Sequence, residues 1–453
     1  MPGTERIAAP STRDIFGLAW PMTLKAVFLH GTIVIDGWMV SALGESALAA
    51  MGIAAALGGM VLGVLFALAH AMQIRTAQLF GGQDPVHLKS VLASGLTLSL
   101  AVGVLGVVTL LAAGPFFIDA LAPSEGIAAG AWSYLTIFTI VIIGESFGQC
   151  VASYFNGCGR TKIPLKGYCL SVPINIISSY GLIHGLWGLP ALGLAGAALG
   201  SALGVSAQSL FLVSRLAVQD GHLRRVAGWQ RVTYLATLRR HLVFTLPIAA
   251  TFVSATFAGH ICMLIYANMS LPAFAAMTLI APWNMVAGQI SMQWTQATGI
   301  FVAQLLGRKT PGSVLNAFLS RAWRGAFVAA TLVACVFVVM GLTLDLIYPK
   351  LTDETRAVLL TFMPIMIAIQ PLRTTNAICG NTLRASGDTI YVMHIFVWSQ
   401  WAFRVPLTAF GVLYLELHAV WIIALLLGEE LVKFLPFHRR LWRGQWQQAT
   451  VLD

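Results

Sequence analysis

The side chains best suited to chemistry in this chain stand where charge is expensive. Between Leu18 and Val40 an apolar run, LAWPMTLKAVFLHGTIVIDGWMV, carries Lys25, His30 and Asp36. About 20 apolar residues suffice to cross a bilayer. Ionisable side chains inside such a run are functional candidates because their desolvation is costly. On a helix, eleven residues at about 100° and 1.5 Å each put Lys25 and Asp36 on nearly one face, ~16 Å apart along the axis. That separation is too great for a direct pair. Their face must look into protein or water, since lipid solvates neither charge.

Three further polar stripes lie in the second half of the chain. Gln289, Gln293 and Gln296 sit at i, i+4 and i+7, one helical face. Gln370, Arg373, Thr374 and Asn381 follow a similar spacing, and Gln400 and Arg404 are four apart. A single stripe can simply hold helices together. Three stripes beside Lys25 and Asp36 predict a wet cavity that binds a small-molecule substrate. In the stretches from 241 to 411 no acid lies deep enough to neutralise Arg373; Asp345 and Glu416 fall near outer ends. The expected counter-charge is therefore a first-half acid such as Asp36 or Glu145, water, or an anionic ligand. A guanidinium grips a carboxylate or phosphate with two parallel bonds, so the solute is expected to be anionic or zwitterionic.

Other chemistries lack their residues. The sequence has no G-x-x-x-x-G-K-[ST] loop for nucleotide phosphates, no H-E-x-x-H, no G-x-S-x-G and no acidic cluster for diphosphate and metal. Direct ATP coupling, an embedded enzyme and a cofactor are not expected. His70, His184, His260 and His394 stand apart from one another and read as packing or interfacial residues.

The elements that position these side chains are membrane spans. Of 453 residues, 58% are hydrophobic and only 10% charged, against about a quarter charged in soluble chains. Twelve apolar stretches alternate with short polar loops. The expected fold is an all-α polytopic membrane protein, with a six-helix bundle over 1–217, a basic linker over 218–240 and a second six-helix bundle over 241–453. The net charge of +10 is a topology signal. Of 27 Lys and Arg, only Lys350 and Arg356 fall in the opposite loops, and only Lys25, Arg373 and Arg404 fall inside spans. The others, Lys433 among them, read as lying on the side of the termini. The positive-inside rule then puts both termini in the cytoplasm and the protein in the inner membrane, in contact with lipid and not with nucleic acid. The six cysteines lack metal-ligand spacing and read as packing residues.

The halves repeat. Pro21 recurs as Pro247, Ala47–Met51 as Ala273–Met277, and Ala77–Pro85 (AQLFGGQDP) as Ala303–Pro311 (AQLLGRKTP), each 226 positions on. Gly159-Arg-Thr161 recurs 228 positions on as Gly387-Asp-Thr389. Six spans per half is an even number, so both halves enter the membrane from one side. That predicts parallel repeats with substrate handled near the midplane. Gly196, Gly200 and Gly204, four apart, predict close helix packing.

Taken together, Pro21 with the following IDGWMVSALGESALAAMGIAAAL, AQLFGGQDP, NGCGRTKIP at 156–164, the run NIISSYGLIHGLWGLPALGLAGAALGS at 175–201, LRASGDT at 383–389 and FRVP at 403–406 resemble the multidrug and toxic compound extrusion (MATE) family. The resemblance spans about residues 12–435. It implies a monomeric exporter driven by H⁺ or Na⁺, in which two bundles form a V that opens alternately to each side. It also implies that Asp36 is the first-helix carboxylate of a cation-coupling site, Asn175 its fifth-helix asparagine, and Ser201 the stand-in for a sixth-helix threonine. Departures accompany it. Ser179 stands where many relatives have an aspartate, Ala255 where some have an acid, and Arg373 where others have an acid. The single carboxylate favours H⁺. Basic residues in the cavity fit cationic drugs poorly, and they open a rival reading as a flippase for a lipid-linked precursor.

Overall fold

The computed structural model describes residues 9–219, 231–349 and 351–448. The centre of the basic linker, 220–230, and Lys350 lie outside the described residues. Six helices fill the first half: α1 (Thr12–Ser41), α2 (Glu45–Gly81), α3 (Pro85–Leu121), α4 (Glu125–Gly157), α5 (Lys162–His184) and α6 (Leu194–Gln219). The second half holds α7 (Arg231–Tyr266), α8 (Leu271–Gly307), α9 (Gly312–Leu342), the single turn α10 (Leu344–Ile347), α11 (Asp353–Ala385), α12 (Thr389–Trp398), α13 (Val405–Leu413) and α14 (Ala419–Trp442). Between α12 and α13 the six residues Ser399–Arg404 form a π-helical turn.

Nine of the described helices are each long and apolar enough to cross a membrane. The other three spans fall short for local reasons. Polar residues such as Asn175 and Ser179 dilute α5, the π turn divides α12 from α13, and α14 carries Glu429, Glu430 and Lys433. The chain is thus the expected twelve-span all-α membrane protein.

The repeat is written into the turns. Helices α2 and α8 both run 37 residues, and α4 and α11 both run 33. After α2, Gln83 takes φ 55°; after α8, its counterpart Lys309 takes φ 52°. The same hydrogen bond closes both turns: Asp84 N–H donates to Leu79 O and Thr310 N–H to Leu305 O, each at 3.1 Å. Gly159 and Gly387 end α4 and α11 with φ 76° and 95°, a conformation that costs glycine nothing.

The helices gather into two compact units, one formed by Leu24–Ala249 and the other by Ala250 onward together with the chain up to Thr23. Both breaks fall inside a helix, shortly after Pro21 of α1 and Pro247 of α7. The leading half of α7 is pinned to α3, where Ser94 Oγ lies 3.0 Å from His241 Nδ1 and Thr97 Oγ1 lies 2.7 Å from Tyr234 OH. In the other unit Arg321 of α9 donates to Ala9 O (2.5 Å) and Pro10 O (3.2 Å), which fixes the entry to α1. The first unit's core gathers Leu65, Ala131, Leu135 and Ile142; the second's gathers Val333, Phe337, Phe362 and Ile422. These residues line the inward sides of helices whose outward sides stay apolar, as lipid contact requires.

Candidate functional site

In the Leu24–Ala249 unit, close approach of α5 and α6 makes the site. A Cβ on Gly196 would lie 2.6 Å from the Leu182 carbonyl, and one on Gly204 would lie 3.0 Å from Asn175 Cβ. The glycine stripe therefore packs as expected, and it brings Asn175 beside Ser201. Asn175 Nδ2 donates to Ser201 Oγ at 2.9 Å, and Ser201 Oγ donates to Asp36 Oδ2 at 3.1 Å. Asp36 is 8% exposed and Asn175 3%. Asp36 Oδ1 and Asn175 Oδ1 remain buried without a hydrogen-bond partner. Three helices thus converge one carboxylate, one hydroxyl and one amide oxygen on a single spot. That arrangement can take a proton on Asp36 or hold a small hard cation. Tyr134 of α4, 4% exposed, stands within electrostatic reach of the carboxylate. Nothing in its sequence surroundings singled it out.

Lys25 belongs to a different group. Its Nζ donates to Gln149 Oε1 at 3.1 Å and lies 5.2 Å from the Tyr168 ring centroid. Gln149 Nε2 in turn reaches Glu145 Oε2 at 2.7 Å and Tyr168 OH at 2.9 Å. Lys25 and Asp36 do not pair, as their spacing requires. Gln149 is the bridge that sequence reading missed. Its one signal was the i, i+4 spacing from Glu145 inside an apolar helix.

The second unit holds a buried ionic network. Arg404, at the end of the π turn, pairs with Glu429 of α14 (Nη1 to Oε2, 3.0 Å). Lys433 Nζ lies 3.2 Å from Glu429 Oε1 and 2.8 Å from Glu430 Oε1. Asn376 Nδ2 donates to Glu430 Oε2 at 2.9 Å and to the Glu430 carbonyl at 2.8 Å. Arg373 Nη1 donates to Asn284 Oδ1 at 2.6 Å, while its Nε stays 3.8 Å from Glu430 Oε1. The π turn explains how Arg404 arrives there. A Val405 N–H bond to Gln400 O inserts one extra residue in the turn and rotates the side chains that follow.

Lys433 is 3% exposed and bonded to two glutamates. One expectation is corrected. The acid that faces Arg373 is neither Asp36 nor Glu145 but Glu430, from the last span. Hydropathy places Glu429 and Glu430 near the inner end of the last apolar stretch, although α14 itself runs on to Trp442.

The glutamines divide. Gln293 Nε2 donates to Gln289 Oε1 at 3.1 Å, so these two share a face of α8; Gln289 and Gln296 are half-buried. Gln370 is 1% exposed and donates to Met366 O at 2.7 Å, and Thr374 is 1% exposed. Gln400, 3% exposed, accepts from Ser254 Oγ at 2.7 Å, and that oxygen accepts from Trp401 Nε1 at 2.9 Å. These three are enclosed within their unit. Among the described residues no three His, Cys, Asp or Glu gather as a metal site.

The sequence model of the MatE family matches residues 21–181 and 247–410, each segment opening on the proline of its repeat. The chain belongs to the MatE family. The relatives it matches are distant in sequence. It is 24% identical over 460 residues to the uncharacterized transporter YisQ of Bacillus subtilis, covering 98% of this chain and 97% of that one. It is 25% identical to the probable multidrug resistance protein NorM of Streptococcus pneumoniae, over 69% of this chain and 68% of that one. Among solved structures, a MOP-superfamily transporter from Pyrococcus furiosus, described as having a binding pocket of reversed polarity, matches with TM-score 0.85 and 18% identity over 98% of both chains. A MATE structure in a bent conformation matches with TM-score 0.84 and 19% identity over 97% of this chain and 98% of that one. At such identities the solved structures speak for the MatE fold alone. Membership makes the chain a multi-pass protein of a membrane-transporter family.

Proposed function

We propose that this protein is a secondary exporter that moves a small organic solute out of the cytoplasm in exchange for an inward-moving cation. The observation that carries the reading is Asp36, buried, held by Ser201 through one oxygen and left open at the other. A buried carboxylate is costly while charged and cheap once neutralised, so cation uptake changes which packing of α1 is favoured. Coupling then needs cation and solute to prefer different packings; equal affinity for both would shift nothing.

The cation is H⁺. Hard metal cations take about six oxygen ligands, whereas Asp36, Asn175 and Ser201 offer four side-chain oxygens and a proton needs one. Gln289, Gln293 and Gln296 are the polar face offered to the solute. The charge pattern of the loops supports cytoplasmic termini in an inner membrane. The relatives' multidrug names agree with export. A flippase for lipid-linked precursors would need several cations free to meet a diphosphate, yet Lys25 and Arg404 are already engaged by Gln149 and Glu429.

The test is efflux from proteoliposomes under an imposed pH gradient and, separately, an imposed Na⁺ gradient. Wild type should respond to the pH gradient, and Asp36→Asn should lose that response while remaining monodisperse. Unimpaired gradient-driven efflux by the Asn variant would sink the coupling role.

A further inference from the structure

We propose that Arg373 is an anion-recognition point in the second unit, taking the carboxylate or phosphoryl group of the solute. This rests on the export reading and names the charge class of what is exported. The argument is one of charge and of unused donors. Arg373, Arg404 and Lys433 face Glu429 and Glu430, so one positive charge is left over. It falls on Arg373. Lys433 is engaged by both glutamates, and Arg404 has Glu429 at 3.0 Å. Glu430 is already held by Lys433 at 2.8 Å and Asn376 at 2.9 Å, which leaves Arg373 Nε 3.8 Å away, beyond hydrogen-bond length.

A guanidinium carries five N–H donors. Among the described residues one of them is satisfied, through Asn284 Oδ1 at 2.6 Å. Arg373 is also the network's most open member, its side chain 29% exposed against 15% for Arg404 and 4% for Lys433. Asn284 steadies Nη1, so the remaining donors are held in the fork that suits two parallel bonds to a carboxylate or phosphate. Glu430, the acid that faces Arg373, stays beyond hydrogen-bond length and spends its oxygens on Lys433 and Asn376. The two units then carry opposite signs: Asp36 draws a cation into one, and Arg373 draws an anion into the other.

Binding to purified protein in neutral-lipid nanodiscs tests this without any gradient. The probes are benzoate, phenyl phosphate and the size-matched cation benzyltrimethylammonium. Wild type should bind one or both anions and not the cation. Arg373→Gln should weaken anion binding about tenfold or more, the scale of a lost charge-assisted contact. Glu430→Gln keeps a side chain for Lys433 and Asn376 but removes the competing charge, so it should tighten anion binding several-fold, a gain that misfolding cannot imitate. Phosphatidylglycerol added to the nanodiscs separates the sources. Displacement of the probe that vanishes in Arg373→Gln upholds anion recognition with a lipid headgroup as occupant; no displacement upholds a soluble anion. Equal binding of the cation, or anion binding untouched in both variants, overturns the proposal. That outcome would leave the Asp36 test of coupled export standing, because the two are measured separately.

Discussion

Gly200 of α6 lies so close to Ser179 of α5 that a Cβ at 200 would overlap Ser179 Oγ and stand 2.5 Å from the Ser179 backbone nitrogen. Since the next residue is Ser201, the helix contact and the proposed coupling site are one construction. We expect Gly200→Ala to push α5 away, break the Asn175–Ser201 bond and reduce gradient-driven efflux to background. Gly63→Ala is the control: nothing lies within 4 Å of its Cβ, and alanine favours a helix by about 1 kcal/mol. Efflux and melting temperature, measured for both, decide the matter. A Gly200→Ala variant as active and stable as Gly63→Ala would refute the packing argument.

Ser201 both accepts from Asn175 and donates to Asp36. Ser201→Thr keeps both bonds and should keep coupling. Ser201→Ala loses two hydrogen bonds of about 1 kcal/mol each, so half-maximal efflux should require a roughly tenfold larger proton gradient. The dependence of rate on imposed ΔpH reads this out directly.

Lys25 and Glu145 share Gln149 as a bridge. Removing one charge leaves the other buried without compensation, a cost of about 2–3 kcal/mol. Lys25→Met and Glu145→Gln should each lower the melting temperature in detergent, and the double variant should lose less than their sum. Strict additivity would show that the bridge does not couple them.

Glu429 serves two cations, Arg404 and Lys433, whereas among the described residues Glu429 is the one acid paired with Arg404. Glu429→Gln strands Arg404 and should cost about 3–5 kcal/mol. Arg404→Met leaves Glu429 with Lys433, and the loss should be roughly half as large. The order of the two melting temperatures is the check; the reverse order would contradict the network as drawn.

Asp36 was legible because a carboxylate in an apolar run has few innocent explanations. Its partners were not, since Asn175 and Ser201 lie far along the chain and stand out only through the family resemblance. The glycine stripe predicted the contact that joins them, because only glycine lets backbones approach so closely. The second-unit network stayed hidden for a physical reason. Hydropathy reads a charge at the end of an apolar stretch as solvated, and whether neighbouring helices enclose it is a tertiary fact. The i, i+3 and i, i+4 spacing of Glu430 and Glu429 to Lys433 was the available clue. The π turn left almost no mark beyond Pro406, whose missing N–H weakens the helix nearby.

The two unit breaks, after Thr23 and after Ala249, are also 226 positions apart. A protease cut inside 220–230 would therefore not separate two self-sufficient pieces. The N-terminal piece would carry a leading segment belonging to its counterpart and lack the leading half of α7, which its own unit uses. The C-terminal piece would be in the mirrored position. Each polypeptide is incomplete by the same stretch of its repeat, so the two are expected to be productive only when made together, as obligate complements. A single covalent chain supplies that exchange automatically, at an effective concentration that no pair of independent fragments can match.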